Sequence, residues 1–341
     1  MSNFINLNLL FFVGIEILLI FIFAKIAIKI QLIDIPNERK VHKGNIPLVG
    51  GVIIFSTFFF YFIMFETMLA HKIIFFASLI IFCIGLYDDI FNMKVVDRFF
   101  FQILATLLVI GFGIKIYDLG YVSLFNTDFF PLHLGGFGVI LTFLSILGFT
   151  NAINFSDGID GLAAGYLINC LMCILLFSFY NENFENLRLV IFLIISLFVF
   201  KIANHGIFLP KIFLGDNGSA SLGFLVACLL IFYTLPDNRY FHPLLTIWAA
   251  PLPVLEFLTI ISFRLFAGKS PFQADRQHLH YLLLKSIENQ KIVTFLLISS
   301  SAILSFMGFF VFVLFGVASS VAFFVFYCII YLLIYIYFKN Q

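Results

Sequence analysis

Eleven residues, Asn151-Ala-Ile-Asn-Phe-Ser-Asp-Gly-Ile-Asp-Gly161, place two amides, two carboxylates and two glycines between long apolar runs. Polar groups at the edge of a bilayer are costly unless something binds there. Asp157 and Asp160 are three apart and share a face on a helical turn, as do Asn151 and Asn154. Oxygen ligands of this kind, incompletely filled and open to water, suit Mg²⁺, with Mn²⁺ as the alternative, rather than zinc. A capped helix–turn–helix would explain one of the carboxylates but not the set. Gly158 and Gly161 favour backbone angles that other residues avoid.

Other stretches carry compatible chemistry. Asp88 and Asp89 end an apolar run, where the negative end of a helix disfavours anions by roughly 0.3–1 kcal/mol each. Such a pair fits a metal or proton-exchange site, with one carboxyl serving as a base. Lys211-Ile-Phe-Leu-Gly-Asp-Asn-Gly-Ser219 sets Asp216 in a glycine-bounded turn before the next run, where backbone N–H groups suit an anion or phosphate. An N-cap is the ordinary alternative use of such an Asp. Pro251 and Pro253 break or kink the ninth run, and Glu256 inside it is a functional candidate. The loop that follows carries Asp275, Arg276, His278 and His280, donors of the kind phosphates require. The two histidines face one side only if that segment is extended. The first polar loop, Asp34 to Lys43, holds a basic cluster that attracts anionic headgroups or a phosphate, or simply anchors the span. Gly50-Gly51 lets the next helix start close to a neighbour. His71, His133 and His242 fall on the opposite side and are read as structural.

The elements that position these residues are membrane helices. Of 341 residues, 62% are hydrophobic and 11% charged, less than half the roughly 25% of a soluble domain. A net charge of +1 gives no reason to expect nucleic acid as a partner. About 20 apolar residues make a span, and eleven segments qualify: 4–30, 48–66, 72–87, 98–116, 135–151, 161–180, 187–205, 218–235, 241–264, 291–315 and 317–337. The turn between the last two rests on Phe315-Gly316-Val317 alone. The first is too long for a signal-peptide core and has no small-residue cleavage site. With the N-terminus outside and the C-terminus cytosolic, fifteen of the nineteen Lys and Arg are cytosolic, and only Lys72, Lys115, Arg188 and Arg239 are not. Asp88, Asp89, Asp97, Asp157, Asp160, Asp216 and Asp275 all reach the cytosolic face too, although positive-inside bias does not demand it. The expected architecture is therefore one all-α integral membrane domain, residues 1–341, with a cytosolic-face active site. Cys170-Leu-Met-Cys173 has redox or zinc spacing but no second pair, and reads as small apolar residues of a span.

At these residues the sequence resembles the polyprenyl-phosphate N-acetylhexosamine-1-phosphate transferases, glycosyltransferase family 4. It looks most like the bacterial branch that begins O-antigen, common antigen or teichoic acid on undecaprenyl phosphate. The resemblance runs from Arg39-Lys-Val-His42 to His280, through Asp88-Asp89, Asn154, Asp157-Gly-Ile-Asp-Gly161 and Gly215-Asp216. It implies a multi-pass enzyme of the bacterial cytoplasmic (inner) membrane. Its reaction would transfer a sugar-1-phosphate, most simply GlcNAc-1-phosphate, from a UDP-N-acetylhexosamine to undecaprenyl phosphate, releasing UMP. By that match Asp216 and Asn154 serve the metal, and Asp88 and Asp89 deprotonate the lipid phosphate or steer the metal. Asp157 and Asp160 line the nucleotide side, and Arg276, His278 and His280 hold the diphosphate and sugar. Lys43, in the basic first loop, is expected at the substrate.

Three positions depart from the family pattern: Tyr281 where a further His is usual, Asn217 for Ser or Thr, and Glu256 for Asp. They leave the sugar open and weaken a match to phospho-N-acetylmuramoyl-pentapeptide transferase, the nearer alternative. A secondary transporter using the broken ninth span and Glu256 is the alternative from another class. Against it, the carboxylates gather at one face and no inverted repeat is apparent. Membrane lipid is a necessary partner, and an oligomer is compatible with the sequence.

Overall fold

A computed structural model describes residues 2–35, 44–122, 130–268 and 277–340. The elements in order are α1 (Ser2–Ile30), β1 (Ile33–Asp34), β2 (Ile46–Pro47), α2 (Gly50–Phe65), α3 (Leu69–Phe91), α4 (Val95–Gly111), β3 (Asp118–Val122), β4 (Phe130–His133), α5 (Phe137–Ser156), α6 (Leu162–Tyr180), α7 (Arg188–Asn204), α8 (Gly215–Phe232), α9 (Thr246–Ala249), α10 (Pro251–Phe266), α11 (Leu279–Ile287) and α12 (Gln290–Lys339). The chain is an all-α membrane protein. Among the described residues, six helices are long and apolar enough to cross a bilayer, or seven if the segments on either side of Ala250, bent by 80°, form one broken span; α2 is a shorter apolar helix.

Each of the eleven expected segments falls on helix, the ninth on α9 and α10 and the last two on α12. Fifty residues of helix measure about 75 Å, more than twice the hydrocarbon thickness. The stretch is broken at Gly316, whose φ of 80° and ψ of −176° suit glycine alone. Two features were not expected. One is the pair of small antiparallel ladders, β1–β2 and β3–β4, of which the first is too short to show a period-two pattern. The other is α11, where no Ser, Thr, Asp or Asn marks the start: His278 is the N-cap and makes no side-chain capping bond.

The centre of the fold is α8, buried at every residue from Asn217 to Phe232. It packs mainly on α3 and α5, with α2 and α6 alongside. Gly85 permits the close approach of α3, because a Cβ there would lie 2.6 Å from the Asn217 Cα. On α2, Gly50 and Gly51 donate backbone N–H groups to the Phe213 and Leu214 carbonyls at 2.9 and 3.0 Å, which is the close start expected of that glycine pair. These bonds hold the extended approach to α8 rigidly against its neighbours.

The break between α9 and α10 has a local cause. Pro253 has no N–H to give the Ala249 carbonyl. The Asn169 amide at 3.4 Å and the Cys170 thiol at 3.2 Å donate to that oxygen instead. Cys170 and Cys173 are both free and buried. Beside the break, the fully buried Trp248 donates its indole N–H to the Ser320 hydroxyl at 2.8 Å and stacks on Phe323.

Candidate active site

The last turn of α3 and the first turn of α8 meet through four acidic and amide side chains. Asp89 turns both oxygens onto α8. Oδ1 accepts the Asp216 N–H at 2.9 Å, while Oδ2 accepts the Asn217 N–H at 3.1 Å and its side-chain amide at 2.5 Å. Free N–H groups at a helix start attract anions, and here the anion is a side chain of the protein. Asp88 faces the other way. Its Oδ1 accepts the Met93 N–H at 2.6 Å, and its Oδ2 pairs with Arg98 Nη1 at 2.7 Å. The same Arg98 nitrogen lies 3.1 Å from Asp216 Oδ2, so one guanidinium bridges two carboxylates. Asn154 Nδ2 completes the group, donating to Asp216 Oδ1 at 2.9 Å and to Ser219 Oγ at 2.8 Å. Asp216 remains 42% exposed, with room for a ligand.

A pocket opens from this polar group between α3, α4, α5 and α8. Arg98, Asn154 and Asp216 form one part of its wall, and Ile81, Ile84, Val95 and Phe99 another. Asn151 also lines it and donates to Gln102 Oε1 at 3.0 Å, so the two amides of the central stretch do share a face.

The turn after α5 carries the other two aspartates, in different surroundings. Burial, then the carboxylates of Asp216 and Asp89, hold the Asp157 carboxyl well above the usual carboxylate range. Asp160 pairs with Lys211 Nζ at 2.6 Å, and its carbonyl accepts the Thr294 hydroxyl. His205 covers Gly161, its Nε2 2.7 Å from where a Cβ would stand, and Lys201 is adjacent. Lys201, His205 and Lys211 together give the turn a basic rim.

His278 and His280 come together although only His278, the helix cap, is extended. Their rings stack at 5.3 Å, and both Nδ1 atoms approach Glu256 Oε1, at 3.3 and 3.2 Å. Gly158 is needed here for space rather than for φ: a Cβ would lie 2.5 Å from the Tyr281 hydroxyl and 2.8 Å from His280 Nε2. Arg276 and Lys43, expected at the substrate, and Asp275 lie outside the described residues. His71 and His242, read as structural, bond to Glu66 Oε2 at 3.0 Å and to the Tyr121 carbonyl at 3.1 Å.

Residues 71–234 match the family described as "Glycosyl transferase family 4". The chain is also 33% identical over 301 residues to an undecaprenyl-phosphate alpha-N-acetylglucosaminyl 1-phosphate transferase of Yersinia pestis, covering 85% of this chain and 79% of that one. The protein of the same name from Escherichia coli K12 is 31% identical over 296 residues, with the same coverage. That of Haemophilus influenzae is 30% identical over 262 residues, 75% of this chain and 73% of the relative. The chain belongs to glycosyl transferase family 4. The family match spans Asp88, Asp89, Asn154 and Asp216 at the α3–α8 junction and Asp157 and Asp160 on the turn after α5.

Within this family 4 site, the donor set fits a hard divalent cation. Asp216 is open, the Asn154 side chain adjoins it, and the Asp88 and Asp89 carboxyl groups stand beside it with Arg98 between Asp88 and Asp216. Mg²⁺ takes one or two carboxylates and keeps its waters, so the carboxylates need not converge on one point. Glu256, His278 and His280 do converge, their ligand atoms within 4.8 Å of one another. That Glu256 oxygen also accepts the Leu279 N–H at 2.9 Å and bonds His280 Nδ1 at 3.2 Å, while His278 Nδ1 lies close but makes no hydrogen bond among the described residues, and we read the group as an anchor. Sequence reasoning missed Arg98, counted only as a topogenic charge, and the Lys201–His205–Lys211 rim. Position could have flagged both, since Arg98 follows the Asp pair by nine residues and Lys211 precedes Asp216 by five. Asn217, one of the departures from the family pattern, is buried and donates its amide to Asp89, so it serves packing at α8.

Proposed function

We propose that this enzyme transfers N-acetylglucosamine-1-phosphate from UDP-N-acetylglucosamine to undecaprenyl phosphate, at the cytosolic face of the bacterial cytoplasmic membrane, and so begins a cell-surface polysaccharide. An oxygen of the lipid phosphate attacks the sugar-linked phosphorus of the donor. The bond from that phosphorus to the UMP oxygen breaks, and UMP leaves with the electron pair. The observation that carries this reading is Arg98 bridging Asp88 and Asp216 in the wall of a pocket that also has an apolar side. A lipid phosphate needs both surroundings, and the names of the relatives point to the same chemistry.

Phosphoryl transfer asks a protein for alignment and charge neutralisation. Arg98, planar and always charged, suits the acceptor phosphate and can exchange a carboxylate partner for it. Asp88, freed by that exchange, is placed to take a proton from the acceptor. Asp89 holds the start of α8 and with it Asp216. Asp216 and Asn154 would hold Mg²⁺, or Mn²⁺ in its place, which when bound neutralises the diphosphate of the donor. Asp157, Asp160 and the basic rim line the nucleotide side, and His278 and His280 serve the diphosphate and sugar, where Arg276 and Lys43 are expected to contribute charge.

Purified protein with undecaprenyl phosphate, Mg²⁺ and a panel of UDP-sugars tests the proposal. UMP release that needs the lipid and is largest with UDP-N-acetylglucosamine is expected. Release confined to the muramoyl-pentapeptide donor, or none from any donor, would reject it.

The same reading places eleven crossings in the membrane, with the N-terminus outside. The C-terminal end of α3, the C-terminal end of α5 and the N-terminal end of α8 meet at one site, as alternating spans require. The shorter helices α2, α4 and α7 cross within the bundle, and α12 crosses twice, turning at Gly316. A tag at the C-terminus is therefore expected to stay shielded from impermeant reagents in intact cells. Its labelling from outside would leave ten crossings or fewer.

A further inference from the structure

Glu256 sits on α10, buried, and no step above uses it. One of its oxygens gathers three nitrogen groups. Oε1 accepts the Leu279 N–H at 2.9 Å, is 3.2 Å from His280 Nδ1, and is 3.3 Å from His278 Nδ1. That geometry ties the first turn of α11 to the broken ninth span, so the histidine segment cannot drift. A carboxylate facing Nδ1 also keeps the proton on that nitrogen and turns Nε2 away from it, as carboxylates do behind metal-bound histidines.

The freed edge of His280 has a direction. Its Nε2 is fully buried, has no hydrogen-bond partner among the described residues, and lies beside Gly158, next to Asp157. An unpartnered buried nitrogen costs about 1–3 kcal/mol, and that cost is recovered when a ligand hydroxyl donates to it. The Tyr335 hydroxyl, donating to the Gln277 carbonyl at 2.9 Å, holds the same segment from α12.

We propose that Glu256 is a positioning residue, which locks His280 with Nδ1 toward itself and aims its Nε2, as an acceptor, across Gly158 at a hydroxyl group of the nucleotide-sugar donor. This rests on the transferase reading above. Glu256 touches neither substrate. It acts through the His280 imidazole and on the donor side only.

Steady-state UMP release from the full-length protein, varied separately in UDP-N-acetylglucosamine and undecaprenyl phosphate, tests it. Glu256→Gln keeps the side-chain volume and an acceptor for Leu279 but loses the charge. It is expected to raise the donor KM about 10-fold, the worth of one buried hydrogen bond, and to leave the lipid KM unchanged. His280→Gln gives a similar donor loss, and the double variant loses little more than either single one. Glu256→Asp, which keeps the charge on a shorter arm, is measured in parallel and should show a smaller loss confined to the donor. It carries the test if the Gln variant fails to fold. Equal losses in both KM values, or effects of Glu256→Gln and His280→Gln that multiply, would overturn the proposal while the wild type still turns over. A wild type that releases no UMP removes the transferase reading and this inference together.

Discussion

Replacing Asp216 with asparagine yields a protein that inserts and folds but releases UMP roughly 10³-fold more slowly, a loss of about 4 kcal/mol in barrier stabilisation. The magnitudes separate folding from chemistry. Asparagine has nearly the same shape as aspartate, and the anion at the first turn of α8 contributes only about 0.3–1 kcal/mol through the helix dipole. The substitution weakens the bonds from Asn154 and Arg98, both made at a partly exposed side chain. On the proposed reading, the charge itself is what the donor diphosphate and its cation would need. The check is UMP release across a Mg²⁺ titration, alongside a thermal unfolding midpoint. A variant within a few-fold of wild type would take Asp216 out of the metal site, and one that no longer folds would show that its role is structural.

The second large effect is expected at Asp89. Asp89→Ala leaves the Asp216 and Asn217 N–H groups without an acceptor. Losing a helix cap costs about 0.5–2 kcal/mol, and a buried donor left unpaired costs about 1–3 kcal/mol. Stability should therefore fall by about 2–4 kcal/mol. Turnover should fall about 10²-fold, since a misplacement near 1 Å has that effect and Asp216 sits on the turn that loosens. Asp89→Asn keeps one acceptor oxygen and should recover part of both losses. A proton acceptor would behave otherwise: the asparagine variant would be as slow as the alanine one yet almost as stable as wild type. Thermal midpoints and single-turnover rates on the two variants decide between these outcomes.

Charge and hydropathy made most of the fold legible. The apolar runs placed every long helix, and the one-sided distribution of Asp, Lys and Arg foretold that remote polar stretches would meet. Pro251 and Pro253 announced the break between α9 and α10. What stayed hidden was direction. Asp88 and Asp89 are neighbours in sequence, but successive helix residues point about 100° apart, so one reaches Arg98 and the other caps α8. Asp157 and Asp160 have the spacing of a matched pair, but spacing did not foretell that Asp160 would pair with Lys211. Arg98 was hidden because an arginine after a span has an ordinary explanation in topology. Cys170 was read as a small apolar residue, although its thiol serves the carbonyl that Pro253 leaves without a donor. That role depends on a partner 79 residues away, which local pattern does not carry.

Trp248 is the only tryptophan of the chain, and it lies at the bend of the ninth span, clasped by Ser320, Phe323 and Phe324 of α12. A short stretch of α10 leads from it to Glu256 and so to the histidine segment. Its emission is thus a built-in optical gauge of that hinge, one indole in a fixed dry setting with no competing indole. A donor that pulls on the histidine segment would change the colour or the brightness of a single residue, in the unlabelled protein, with no substitution made.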